Sequence, residues 1–291
     1  MVVMDLWNEM RNNDLNAQLK AHHDLIDALI YVAQAPTEAK VQVPEWLAYS
    51  DRLLGKFTWH SRSLHMLIKG FELGSKHYKE FNQVAADNYS AEILLRAQVE
   101  CGLIYLMIYD LGATDIEKEF VFNCWMYDGL LGRQKFPATH PRSQQVQKAD
   151  VAAMAHLKSQ IEVSFTKQSV LTRKQVDRLY TGGAKNAERL FKSWAQLAST
   201  LKLDGKMSFE LLYHLHSVQA HTQSLSILQW KDATPHSNLV MRCAMLFQSC
   251  LWMSVLLLSW IGLHKSAEMK FNALDSRLQE RIRLYASMLR D

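Results

Sequence analysis

The chain has 291 residues, of which 48% are hydrophobic and 21% charged, with a formal net charge of +4. Its 5 Pro and 11 Gly are too few to punctuate an all-β or α/β chain, so an all-α fold is expected. The mild positive charge is compatible with RNA contact but does not demand it.

Leu6, Met10, Leu15, Leu19, Leu25, Ile26 and Leu29 recur at helical spacing and predict a first helix over 4–35, stopped by Pro36. A second helix is predicted from Glu45 towards Leu73, with Gly70 and Gly74 as candidates to break or end it, and His77 to Ala86 also reads as helical. Asn88 or Ser90 is the candidate N-cap of a largely apolar helix over 90–111, which Gly112 is placed to end. Thr114 and Glu117 have capping-box spacing and open a helix that reaches about Gly132. A loop containing Pro137 and Pro141 leads to a polar, peripheral helix over 143–167. Thr172 and Gln175 form a second capping box, and Gly182-Gly183 breaks the short helix that follows. Residues 186–201 are amphipathic, Asp204-Gly205 makes a turn, and 207–222 is the next helix. A long apolar helix over 239–264 and an amphipathic helix over 267–290 close the chain.

The length suits one domain or two sub-bundles sharing a core. With no repeat, low-complexity tract or long linker, a single helical domain over 1–291 is expected. Its core is 85–265, with the helices of 4–75 and 267–290 packing on it. Residues 243–263 carry no charge and approach bilayer-spanning length. Gln248, Ser249, Ser254 and Ser259 interrupt that segment, so a buried core helix is preferred, with a membrane-anchored effector as the alternative. Cys101, Cys124, Cys243 and Cys250 all lie in apolar helical contexts without a CxxC pair, which suits buried, reduced thiols of a cytoplasmic protein.

No phosphate-loop, dinucleotide or nucleophile-elbow motif is present, and no HExxH or ExxH occurs among the 12 His. No cofactor and no metal are therefore expected. Two constellations remain. In the first, His214, Ser217 and His221 share one face of the 207–222 helix, bordered by Tyr213. Such a face can transfer protons, because imidazole titrates near neutrality, although structural pairing is the preferred reading. In the second, Glu92, Arg96 and Glu100 form an i, i+4, i+8 stripe in the apolar 90–111 helix. Arg96 can grip a phosphate or be neutralised by its two neighbours, and the second reading is preferred. Arg96 or Glu100 reaching His221 would join the two sites. Trp194, Trp230, Trp252 and Trp260 read as core or groove aromatics, and the basic stretch of 165–192 as a solvated helix face.

The segment LLRAQVE followed by a long apolar helix resembles the LLRSxxE helix of an uncharacterised bacterial all-helical family. SWAQLASTLKL followed by FELLYHLHSVQAH resembles that family's second signature, with Tyr, Ser and His at the places of Tyr213, Ser217 and His221. The resemblance covers about residues 85–225, and the family is in turn similar to the HEPN superfamily of toxin–antitoxin and abortive-infection systems. It implies a dimeric helical protein of bacterial defence, with metal-independent RNA cleavage or RNA binding and an antitoxin or other protein as partner. Carried onto this chain, His221 takes the histidine place and His214 the arginine place, and Arg96 is the nearest candidate to supply the guanidinium. A non-enzymatic helical interaction module is the competing expectation.

Overall fold

Asp14 accepts the N–H groups of Asn16 and Ala17 and so opens helix α1 (Leu15–Ala33). The structure, a computed structural model, describes residues 14–73, 83–181, 190–191, 193–203 and 235–290. Pro36 does not stop the helical path at once. It sits in the first turn of a short α2 (Ala35–Glu38), where its missing N–H would have had no helical partner anyway.

Helix α3 (Glu45–Lys69) ends at Gly70, whose φ of 92° turns the backbone out of the helix. The chain then enters a strand, β1 (Phe71–Leu73), which pairs antiparallel with β2 (Gln83–Ala85), Phe71 opposite Ala85. The helical expectation for the end of the second segment and for residues 83–85 is corrected here, because an extended strand needs a ladder partner.

Helix α4 (Asn88–Tyr109) is capped by Asp87, whose carboxylate accepts the Ser90 N–H at 3.0 Å, and not by Asn88 or Ser90. Gly112 follows its end without adopting a left-handed conformation. Its role is close approach: a Cβ there would lie 2.6 Å from Glu117 Cβ. The Thr114 capping box opens α5 (Asp115–Arg133) as its spacing predicts. The Glu117 N–H donates to Thr114 Oγ1, and the Glu117 carboxylate accepts the Thr114 N–H.

Helix α6 (Pro141–Ser164) is peripheral, burying only Asp150 and Ile161, and runs into a 3₁₀ turn at Phe165–Lys167. The Thr172–Gln175 box opens α7 (Arg173–Thr181), and Ser193 caps α8 (Trp194–Thr200). The long apolar helix is α9 (Pro235–Leu263). The expected 267–290 helix is two: α10 (Lys265–Asn272) and α11 (Ser276–Arg290). Asp275 separates them by accepting the N–H groups of Arg277 and Leu278 and starting a new helix.

The protein is an all-α multi-helix bundle with one short ribbon among the described residues, and its α4 and α9 are the long, largely buried helices expected near 90–111 and 239–264. The chain divides into two compact units. One comprises Met1–Gln42, Asp51–Gly102 and Lys202–Asp291, and the other Val43–Ser50 and Leu103–Leu201.

In the first unit α9 packs against α1, α10 and α11. Leu25, Leu29, Phe57, Leu64, Leu95, Leu246, Trp252 and Leu256 are buried in its core. By length and composition α9 is apolar enough to cross a membrane, and 78% of its most apolar window is buried inside the protein. Leu256 and Leu257 are fully covered. In the second unit the Tyr109 hydroxyl donates to the Trp46 carbonyl at 2.9 Å, and Tyr49 packs on Phe122 with ring centroids 5.1 Å apart. Phe120, Val121, Cys124, Ile161, Val176 and Leu179 complete that core. All four cysteines are buried and unbridged.

Candidate nucleic-acid interface

Among the sequence-derived site residues, His214, His221, Tyr213 and Ser217 lie outside the described residues. The stripe on α4 is described, and its three members behave differently. Arg96 Nε donates to Glu100 Oε1 at 3.1 Å, with the two side chains 21% and 32% exposed. This is a half-buried i, i+4 pair of the structural kind, not a guanidinium held open for a ligand. Glu92 is buried, no described cation pairs with it, and burial pushes its carboxyl up to about 7. Desolvation dominates there because nothing nearby offsets the cost of the charge.

A polar centre that no sequence motif marks lies inside the first unit. Gln98 Nε2 donates to Ser61 Oγ at 2.7 Å and to Ser249 Oγ at 2.8 Å, and His22 Nε2 meets Ser249 Oγ at 2.9 Å. Ser61 in turn donates to the Phe57 carbonyl at 3.0 Å. Four helices, α1, α3, α4 and α9, thus each supply one polar side chain to a single node. All four side chains are fully buried.

His22 stacks on His65 at 5.5 Å between ring centroids, and His65 meets His23 edge-on at 5.8 Å. Burial, helped by the neighbouring His65 and His23, lowers the His22 pKa to about 3. The ring is neutral at pH 7. If Ser249 accepts from Gln98 and donates onward, His22 Nε2 is the acceptor and Nδ1 carries the proton. His22 Nδ1 and Gln98 Oε1 have no partner among the described residues. A serine and an imidazole in hydrogen-bond contact have the chemistry of a nucleophile and base, but this pair is sealed from substrate. It acts as an internal polar tie between helices.

The solvent side of α3 is where a ligand has access. Leu54, Phe57, Ser61, Leu64 and Ile68 face inward and are buried. At ~100° per residue, Arg52, Lys56, Trp59, Arg62, Met66 and Lys69 fall within an arc of ~140° on the opposite side. All six are exposed, Trp59 at 68% and Met66 at 60%. The row is ~25 Å long from Arg52 to Lys69 at 1.5 Å per residue. The Arg62 guanidinium lies 5.8 Å from the Trp59 ring centroid, and no described carboxylate pairs with Lys56, Arg62 or Lys69. The positive face has a local effect as well. His60 is lowered mainly by burial and further by the Lys56 ammonium, and His65 by burial, His23 and Lys69.

Trp59 and Arg62 also wall a hollow of about 480 Å³ between α1, α2 and α3. Ile30 and Leu54 line it with the polar groups of Gln34, Asp51 and Thr58. A planar base fits such a hollow in size, with the indole as a stacking face.

The sequence carried a signal for this face: Lys56, Trp59, Arg62 and Met66 stand at i, i+3, i+6 and i+10, out of phase with the core positions. In the basic stretch of 165–192, by contrast, two of the described cations are engaged locally. Arg173 is bound by Glu162 and Asp177, and Arg178 donates to the Leu190 carbonyl. No family model, curated protein or solved structure matches this chain.

Proposed function

We propose that this chain binds single-stranded RNA along the exposed face of α3, as an all-helical, HEPN-like protein of bacterial defence or toxin type. The observation that carries the reading is the row of Lys56, Arg62 and Lys69 interleaved with exposed Trp59, beside a base-sized hollow. Cations spaced along a helix neutralise successive phosphates, and an exposed indole stacks on an unpaired base. A duplex keeps its bases stacked inside and so uses only half of this arrangement.

Binding, not cleavage, is what the described residues support. Arg96 is engaged by Glu100, and the buried Ser249–His22 pair has no access. The competing reading, a non-enzymatic interaction module, is favoured by that same closed centre, and the two readings share the α3 face as the contact surface.

The test is fluorescence anisotropy with a labelled single-stranded RNA oligomer on the full chain. With about three phosphates neutralised, log K is expected to fall with log salt at a slope of roughly −2. Trp59→Ala is expected to weaken binding by about 1–3 kcal/mol. Charge reversal in the pair Lys56→Glu and Arg62→Glu should abolish it. Binding that the reversed variant retains, or binding to anionic vesicles or an acidic peptide but not to RNA, overturns the proposal. A metal-free incubation in which RNA is cut by wild type but not by His221→Ala would add catalysis to binding.

A further inference from the structure

We infer that the second unit holds a separate site for a small organic amine, in the cleft between α5, α6 and the first turn of α3. The cleft has a volume of about 440 Å³, within the range of roughly 300–1,000 Å³ usual for small-molecule sites. Its walls are apolar and aromatic: Trp46, Phe122, Met126, Leu130 and Leu157. That surface takes a flat or aliphatic body and gains from its removal from water.

The polar groups set the charge of the ligand. Arg133 is the one cation among the lining residues. It is held in a two-point fork by buried Asp150, with Nε 2.6 Å from Oδ2 and Nη2 on Oδ1, so it is not available to an anion. Glu45 and Glu119 also line the cleft, are exposed, and form no ion pair with any described residue. Three carboxylates against one guanidinium leave the lining at −2. An anionic ligand is repelled, and a cationic head is drawn to the glutamates.

The second, independent observation is Asn123. It lies one helical turn from Glu119, is only 7% exposed and lines the cleft. Its amide makes no hydrogen bond to a described residue, and its small remaining exposure is at the cleft wall. Amides of residues this covered normally find partners, so one that faces only the cleft points to a ligand group that pairs with it there. An ammonium donating to the Asn123 carbonyl and to one glutamate pairs with both, with the second glutamate adding attraction and the ligand body lying on Phe122 and Met126.

The site is independent of the RNA-binding reading, and its experiment uses different residues. Isothermal titration of the full chain compares tryptamine with two analogues of the same body, uncharged 3-ethylindole and anionic indole-3-propionate. Tryptamine is expected to bind saturably at one site, 3-ethylindole at least tenfold more weakly, and indole-3-propionate not at all. The double variant Glu45→Gln, Glu119→Gln alters only exposed side chains and so keeps the fold. It should weaken tryptamine at least tenfold and bring it level with 3-ethylindole. Asn123→Ala should weaken tryptamine while circular dichroism remains unchanged. If Asn123→Ala disturbs the spectrum, the double glutamine variant alone decides. Absence of saturable tryptamine binding, equal affinity for all three analogues, or an undiminished affinity in the glutamine variant overturns the inference.

Discussion

Acidification from pH 7 to pH 5 should destabilise the protein through His22. The imidazole is fully buried, and its pKa stands at about 3 in the folded state against 6.5 when exposed. Below pH 6.5 the unfolded chain takes up a proton that the folded chain refuses, so protons favour unfolding. The contribution is whole above the unfolded value and is lost as pH falls from 6.5 towards 3. Between pH 7 and pH 5 this one group removes about 2 kcal/mol, using 1.36 kcal/mol per pH unit of differential protonation. That is a large share of a stability of typically about 5–15 kcal/mol.

Urea unfolding followed by far-ultraviolet circular dichroism at pH 7, 6 and 5 measures the loss. His22→Gln can place its amide oxygen, an acceptor, near the position of Nε2 and removes the titration. Its stability should therefore fall about 2 kcal/mol less than that of wild type over the same interval. His60 and His65 titrate in both proteins, so the difference isolates His22. If the two proteins lose stability in parallel, within about 0.5 kcal/mol, the burial argument for His22 is refuted.

Further outcomes follow from other contacts. Arg96→Ala should cost under about 1 kcal/mol in chemical denaturation, because the Arg96–Glu100 pair is half-exposed and not sealed in the core. Gly102→Ala would bring a Cβ within 2.8 Å of the buried Trp252 ring, and overpacking of this kind should cost about 1–3 kcal/mol. Gly129→Ala meets nothing within 4 Å on the exposed side of α5 and should instead raise stability by about 0.5–1 kcal/mol through helix propensity. The pair is read together by thermal melts, and a stabilising Gly102→Ala would contradict the packing. Hydrogen bonds from Ser169, Thr114 and Ala113 hold the Glu117 carboxyl down at about 2. Its stabilisation is present above the ordinary carboxylate pKa and lost as pH falls through about 2. Glu117→Gln should therefore flatten the acid limb of the stability profile below pH ~4.5.

Local interactions explain what the sequence alone determined. The shortage of Pro and Gly and the helical spacing of apolar residues are enough for an all-α bundle. The capping boxes at Thr114 and Thr172 close within three residues, so their side chains meet whatever the rest of the chain does. The uncharged run inside α9 and the apolar surround of α4 required burial, which tertiary packing supplied.

Other features depended on partners far along the chain. Arg96 had a glutamate one turn away on either side, and only the packed environment decided for Glu100 and left Glu92 as a desolvated acid. Ser61, Gln98 and Ser249 are unremarkable polar residues within their own helices. They meet His22 because four helices converge, across separations as large as 227 residues. Gly70 could be read as a helix stop, but the strand pairing of Phe71 with Ala85 needed the second strand in place.

The same distinction governs the candidate sites. Periodicity gives every amphipathic helix a polar side, and packing alone decides which polar sides remain uncovered. That is why the phase of Lys56, Trp59 and Arg62 marks a polar side in the sequence, while only the packed structure shows that this side and the cleft lined by Asn123 stay uncovered. Solvent access is a property of the neighbours an element lacks, and a linear sequence records only the residues it has.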